Sequence, residues 1–408
     1  MTQATTLPLP LARLPIPDAL LPTTRLVSML RRELRRGALT LTLPDGSVAH
    51  VEGSLPGPQA DITLHRGRAL ARLMLGGGTG FADAYVDGDW NSADPASVVE
   101  LGAVNREAMT GAFLGNVVTR LAARWIHRRN ANTRSGSRQN IHAHYDLGND
   151  FYALWLDSGM TYSSGVYPAA ASTLEEAQEE KYRRLLDLLG ATPGQHILEV
   201  GCGWGSFACY AARCGMRVTA VTISNAQLAW TQRAVQAAGV ADRVTVVLSD
   251  YRDLRGTFDH IVSIEMIEAV GEAYWPEYFS RLRALLAPEG RVALQAITID
   301  DALFDEYRRD PDFIQTRVFP GGMLPSPDKI AQHANAAGFR IAADLPYGAH
   351  YARTLSDWRT RFRAALPAVE AQGFDERFRR LWDFYLAYCE GGFRAGCLDV
   401  RHVALATA

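Results

Sequence analysis

The sequence predicts an α/β protein built on a doubly wound, mainly parallel sheet, with a small α+β domain ahead of it. Three observations carry this. The apolar run His196–Val200 passes through the glycine turn Gly201–Gly205 into Phe207–Ala212, which reads as strand, turn and helix. Apolar strands and helical segments then alternate as far as Ile297, the spacing of βαβ units. Before them, residues 38–51 show the period-two alternation of a hairpin. A length of 408 residues allows two or three domains.

The elements follow in order. Residues 1–19 are expected to be a disordered lead-in, since Met1 to Pro10 is rich in Pro and Thr and lacks the basic start of a signal peptide. Leu26 to Arg36 reads as a basic amphipathic helix with Leu26, Leu30 and Leu34 on one side, ended by Gly37. Ala38–Leu43 and Ser47–Val51 flank the turn Pro44-Asp45-Gly46 as a hairpin, and Asp61–Leu64 is a third strand. Arg68 to Leu75 is helical and stops at Gly76-Gly77-Gly78. These make a small α+β domain over residues 20–92.

Residues 93–139 are read as a basic helical linker. Ala108 to Tyr145 contains no Asp or Glu, yet it carries Arg120, Arg124, Arg128, Arg129, Arg134 and Arg138 beside the apolar Val117, Leu121, Trp125 and Ile126. A helix of this kind can lie on anionic lipid. It can equally pack its arginine stems on the protein as a solvated face.

Residues 140–408 form the main domain. Its further strands are Arg217–Ile223, Arg243–Leu248, Phe258–Ile264 and Arg291–Ile297, with helices Ala226–Ala238 and Trp275–Ala287 between them. Ligands of doubly wound sheets bind beyond the carboxyl ends of the strands. The turns after Glu199, Ile223, Asp250, Ile264 and Ile297 are therefore expected to converge on one pocket.

Composition narrows the function classes. A net charge of −2 points to no nucleic acid or other polyanion, and five cysteines without a C-x-x-C pair argue against disulfides and a zinc ribbon. A reducing cytoplasm is the simplest compartment. No apolar run reaches the length of a membrane span. His142 and His144 form an H-x-H pair with no other ligand cluster near in sequence, so no metal is expected.

The glycine turn lets backbone approach a ligand closely, and Glu199 ends its strand with a carboxylate. A dinucleotide site would want a third glycine where Ser206 stands and an acid about 20 residues on, where Val221–Ser224 has none. An acid followed by Gly-x-Gly-x-Gly is instead the usual first motif of S-adenosylmethionine (SAM) methyltransferases. A turn that binds nothing is the bland alternative.

A wider set of motifs carries a specific likeness. It comprises His144–Tyr152 (HYDLGNDFY), Met160–Gly165 (MTYSSG), Leu198–Gly205 (LEVGCGWG), Val221–Ser224 with Gln227, Asp250–Asp253 (DYRD), Glu265–Gly271 (EMIEAVG) and Phe319–Pro325 (FPGGMLP). In this order and spacing the chain resembles the cyclopropane-fatty-acid synthase family of SAM-dependent methyltransferases over roughly residues 140–400. Tyr85–Trp90 is similar to the end of that family's N-terminal domain. The resemblance implies a seven-stranded class I methyltransferase sheet. It implies that Tyr162, Ser163, Gly201, Gly203, Thr222, Ile223 and Gln227 hold SAM, with Thr222 and Gln227 serving the ribose. Tyr251 and Arg252 would flank the adenine, and His144 to Asp150 would cover the site.

It further implies a cis alkene in a phospholipid acyl chain as methyl acceptor, and a bicarbonate ion near the methyl group held by a Cys, a Glu, a His, an Ile backbone and a Tyr. Here Glu268, Ile297 and Tyr351 match three of those positions, while Ser164 stands for the Cys and Gln295 for the His. Both can still donate hydrogen bonds to an anion, but Gln295 cannot titrate. Glu265 is an extra carboxylate where a small residue is common. This set is similar to the plant-type branch of the family. The resemblance also implies a homodimer working on unsaturated phospholipid at the inner membrane surface, peripheral and cytoplasmic.

The function so implied is methyl(ene) transfer from SAM to an acyl-chain double bond, giving a cyclopropane. A methyl- or methylene-branched product, a small-molecule SAM methyltransferase and a lipid-binding protein with a dead site are the alternatives. Phe362, Trp382, Phe384, Tyr385, Tyr388 and Phe393 read as plain core, with an acyl-chain lining as the other reading.

Overall fold

The computed structural model describes residues 23–108 and 147–408. It divides into two units, one of residues 1–129, 306–320 and 355–397 and one of residues 130–305, 321–354 and 398–408. The acid-free stretch, His142, His144 and the lead-in fall outside the described residues, apart from Ala108. So do the first three residues of the expected cover.

The first unit contains a four-stranded sheet of β1 (Arg36–Thr42), β2 (Val48–Glu52), β3 (Leu55–Leu64) and β4 (Trp90–Asn91) in the order β2-β1-β3-β4. The expected hairpin is there, with β1 antiparallel to β2. The third strand is longer than expected and runs parallel to β1. Two glycines act differently from their reading. The first helix spans Thr23–Glu33 and ends before Gly37, which lies within β1 at φ +80°. A Cβ on Gly37 would sit 2.1 Å from the Pro58 carbonyl oxygen, so this glycine permits a close backbone approach rather than ending a helix. The helix from Arg68 continues to Val86 across a break at Gly77.

Residues 306–320 and 355–397 group with this unit, which differs from a boundary drawn at residue 140. Helix Glu376–Arg394 meets helix Pro95–Val104 within the unit: a Cβ on Gly391 would lie 2.6 Å from the Ala96 carbonyl oxygen. Arg359 is buried against Asp94 at 2.7 Å and Asp383 at 3.3 Å. Asp383 also takes Arg363 at 2.6 Å and the Tyr85 hydroxyl at 2.8 Å. Buried ions hold only when paired in this way. The candidate lining aromatics belong to this unit. Phe362, Trp382, Phe384, Tyr385 and Phe393 are buried, and Phe384 packs edge-on to Trp90 and Phe313.

The second unit holds a seven-stranded sheet of β5 (His196–Val200), β6 (Arg217–Thr222), β7 (Val244–Leu248), β8 (Phe258–Ile264), β9 (Leu286–Ile299), β10 (Phe339–Pro346) and β11 (Leu398–Thr407). Its order is β10-β11-β9-β8-β5-β6-β7. β5 to β9 pair in parallel, and β10 and β11 add an antiparallel edge. This is the class I methyltransferase architecture. β5 is flanked by β6 and β8 and has no exposed edge, which explains its unbroken apolar reading. Beneath it Leu185, Leu189, Phe207, Ala211 and Val218 form one buried cluster. Among the described residues no helix is long and apolar enough to cross a membrane.

Gly391→Ala is expected to destabilise the protein by about 1–3 kcal/mol, because the added methyl has only backbone to push against. Thermal unfolding checks this; an unchanged midpoint would contradict the close helix approach.

Candidate active site

The turn after β5 is built for a ligand. Gly201, Gly203 and Gly205 have φ of +84°, +52° and +90°, a region that L side chains avoid. The Gly201 and Cys202 amides are tied to the Val221 carbonyl at 3.1 and 2.9 Å, which locks the turn against the end of β6. A Cβ on Gly205 would strike Thr231 at 2.4 Å, and one on Gly201 would meet Met266 at 3.0 Å. One on Gly203 would meet nothing within 4 Å. The space over Gly203 is therefore free of protein. The Met266 approach brings the turn after β8 against the turn after β5, one piece of the expected convergence.

The other residues expected to hold the cofactor have partners within the protein. The Thr222 hydroxyl donates to Gln227 Oε1 at 2.8 Å, a bond that does not use the Gln227 amide nitrogen. Ile223 follows at half burial, and Ser224 caps helix Asn225–Ala237. Arg252 is forked onto Asp250 at 2.9 and 2.7 Å and buried, so its guanidinium is committed within the protein, while Tyr251 packs edge-on to Tyr278. Tyr162 stands among Tyr152 and Trp155. Of the expected cover, Asn149 is described, and it accepts the Trp204 indole N–H of the glycine turn at 2.8 Å.

Glu199 is buried at the end of β5, with Oε2 lacking any hydrogen-bond partner. Burial pushes its carboxyl well up. Lys181, fully buried, donates to the Ser163 hydroxyl at 2.7 Å. Burial lowers Lys181 to about 7, against the pull of Glu265, Asp157 and Glu199. A cationic ligand beside Glu199 would offset the burial of its carboxyl and favour the ionised carboxylate. The sulfonium and ammonium of SAM fit the orphaned Glu199 oxygen and the unfilled glycine turn. Gly201, Gly203, Glu199, Thr222, Gln227, Tyr162 and Ser163 are the residues that would hold it.

Glu268, expected at the reacting end, lies on the short turn Ile267–Ala269 after β8. Its Oε1 accepts the Ile297 amide at 2.5 Å, and its Oε2 is buried with no hydrogen-bond partner. Burial first, then the neighbouring Glu265 carboxylate, raises its carboxyl to about 8. Glu265 is the hub. Its Oε1 accepts the Ser164 amide at 2.8 Å and Gln295 Nε2 at 2.7 Å, and its Oε2 accepts the Tyr351 hydroxyl at 2.7 Å. The Ser164 hydroxyl turns away, donating to the Gly165 carbonyl at 3.0 Å. Ser164 thus serves an anion through backbone and not through the hydroxyl that replaces the expected thiol. Behind Gln295, His402 Nε2 meets Gln295 Oε1 at 2.8 Å. Burial and nearby cations hold His402 down to about 3, so it is neutral and its Nε2 proton donates.

The five residues Ser164, Glu268, Gln295, Ile297 and Tyr351 are thus brought together around Glu265. The sequence reading noticed Glu265 only as an extra carboxylate and missed Lys181 and His402 altogether. For Lys181 a signal existed: Leu174, Ala177, Gln178, Lys181, Tyr182 and Leu185 share the buried face of helix Leu174–Leu189, so the lysine keeps apolar spacing. For His402 there was none, because its partner lies 107 residues away.

A family model described as mycolic acid cyclopropane synthetase matches residues 132–403. The chain is 38% identical over 387 residues to the tuberculostearic acid methyltransferase UfaA1 of Mycobacterium tuberculosis, covering 91% of this chain and 88% of that one. It is 34% identical over 366 residues to the cyclopropane-fatty-acyl-phospholipid synthase of Escherichia coli (strain K12), covering 86% and 88%. Among solved structures, the mycolic acid cyclopropane synthase CmaA1 complexed with SAH and CTAB superposes with a TM-score of 0.62 at 32% identity, over 66% of this chain and 97% of that one.

Gly203→Ala is expected to weaken SAM binding at least tenfold, about 1.4 kcal/mol, since the methyl enters space that only a ligand would use. Calorimetry measures this. Full affinity in the folded variant would mean that the donor binds elsewhere.

Proposed function

The chain belongs to the mycolic acid cyclopropane synthetase family of SAM-dependent methyltransferases, and from that premise we propose that it transfers a methyl(ene) group to the cis double bond of an unsaturated phospholipid acyl chain, giving a cyclopropane fatty acid. The observation that carries the chemistry is the unpartnered, buried Oε2 of Glu268 beside a carboxylate already saturated with donors.

SAM supplies an electrophilic methyl group on its sulfonium. An alkene is a weak nucleophile, so the protein's task is placement and exclusion of water. Addition of the methyl to one alkene carbon leaves its neighbour positively charged. Glu268 Oε2 then accepts a proton from the added methyl, and the C–H electron pair closes the ring as a new C–C bond. The Ile297 amide fixes Oε1 and so aims Oε2. If a hydride first shifts with its electron pair from the methylated carbon to its positive neighbour, the charge moves to the methylated carbon. Loss of the same methyl proton then forms a C=C bond to it, giving a methylene branch. This second reading is favoured by the name of the relative at 38% identity, a tuberculostearic acid methyltransferase. Labelled SAM, vesicles of unsaturated phospholipid and mass spectrometry of the released fatty esters test the reaction, with NMR to tell ring from branch. No gain of one carbon would refute it.

The substrate surface is proposed to be anionic lipid at the inner face of the membrane, met by a cytoplasmic homodimer through the acid-free stretch at residues 108–145. The six arginines there support this, each basic residue contributing about 1 kcal/mol near such a surface. Reversing Arg124, Arg128 and Arg129 to Glu should lower vesicle sedimentation, and salt should do the same to the wild type. Binding indifferent to both would remove the stretch from the lipid contact.

Glu268→Gln is expected to lower turnover by about 10²- to 10⁴-fold while SAM binding persists. A carboxyl raised to about 8 is mostly protonated at neutral pH and cannot then accept. Wild-type turnover should therefore climb as pH rises towards 8 and level off above it. A flat profile over that range would remove Glu268 from the proton transfer.

A further inference from the structure

The hydrogen-bond donors that the family resemblance reserves for bicarbonate are all engaged by side chains of this protein. The Ser164 amide, Gln295 Nε2 and the Tyr351 hydroxyl end on the two oxygens of Glu265 at 2.7–2.8 Å. The Ile297 amide ends on Glu268 at 2.5 Å. A bicarbonate would have to displace a covalently attached carboxylate from its donors and then lie beside that displaced charge, where like charges repel. The residues present do not fit a bound bicarbonate.

The backbone carries a second, independent observation. Glu265 has φ +48°, in the left-handed region where a glutamate is strained. Nothing in local preference places a long acidic side chain there; glycine would be the relaxed choice. Four hydrogen bonds hold it instead: its own amide to the Gln295 carbonyl at 2.7 Å, and the three on its carboxylate. A carboxylate and a bicarbonate share a planar O–C–O edge with two acceptor oxygens, so the same donors serve either.

We propose that the Glu265 carboxylate is the resident anion of this site, taking the seat of bicarbonate, so that the enzyme works without dissolved bicarbonate. Glu265 acts as a positioning residue: it orients Tyr351 and Gln295 and sustains the proton affinity of Glu268. The catalytic part of this inference rests on the function proposed above; the anion seat does not.

The test uses the full chain. Glu265→Gly relaxes the backbone and vacates the seat, with its donors exposed to a replacement. By NMR, [13C]bicarbonate should bind saturably to Glu265→Gly and show no binding to the wild type. Turnover of wild type should be equal in carbon-dioxide-depleted and bicarbonate-supplemented buffer. Turnover of Glu265→Gly should fall about 10²-fold and recover at least tenfold with bicarbonate. Glu265→Gln keeps the shape and the fold, should also lose turnover, and should not be rescued, because the seat stays filled. Saturable bicarbonate on the wild type, a wild-type rate that rises with bicarbonate, rescue of Glu265→Gln, or a folded Glu265→Gly that neither binds nor responds would each overturn the proposal. A wild type that yields no acyl product sinks the function proposed above, while the NMR arm still decides the seat.

Discussion

Glu265 ties its own turn to three separate pieces of chain by hydrogen bonds alone. Its carboxylate receives the amide of the loop at Ser164, the side chain of Gln295 on β9 and the hydroxyl of Tyr351 on helix Gly348–Ala364, while its own amide binds back to β9. A carboxylate out of water costs several kcal/mol unless its lone pairs are met. Here three donors meet them, and the cost of the left-handed backbone is carried by the same network. Removing any one donor would leave the rest holding a less well-satisfied charge.

Electrostatic consequences spread from that point. Burial and the Glu265 charge together keep Glu268 mostly protonated at neutral pH, although its oxygen Oε2 has nothing to bond. Lys181, the buried lysine of helix Leu174–Leu189, answers Glu265, Asp157 and Glu199 together and is itself drawn down by burial. A cationic donor bound at the glycine turn would favour the ionised form of the nearby Glu199 carboxyl, whereas a second anion beside Glu265 would meet repulsion from its carboxylate.

Placement follows from the sheet. Parallel strands deliver their carboxyl ends to one edge. There Glu199 lies one residue before the end of β5, Thr222 ends β6, Glu265 and Glu268 follow β8, and Ile297 nears the end of β9. The antiparallel β11 adds His402 directly opposite Gln295. A glutamine stands where the family resemblance expects a titratable histidine, and a neutral histidine on the next strand orients it. The proton chemistry is thereby concentrated on carboxyl groups.

The glycine turn, the strand and helix alternation and the ordered motifs were all legible in the chain, because each is written in a few consecutive residues. Local backbone geometry and side-chain period dictate the turn and the alternation. The sequence therefore determined the doubly wound sheet and its glycine turn, while the group Ser164, Glu268, Gln295, Ile297 and Tyr351 was named through the family resemblance of the ordered motifs. The roles within that group were decided only by tertiary structure. Ser164 and Tyr351 reach Glu265 across 101 and 86 residues, and His402 reaches Gln295 across 107. The grouping of residues 355–397 with the N-terminal unit was equally invisible, since it is made by contacts far apart in sequence, such as the approach of Gly391 to the Ala96 backbone and of Asp383 to Tyr85. No period of 2 or 3.6 records which distant donor a buried carboxylate will find. Only the folded chain brings those groups within hydrogen-bonding distance, and there the need to satisfy a charge removed from water selects the partners.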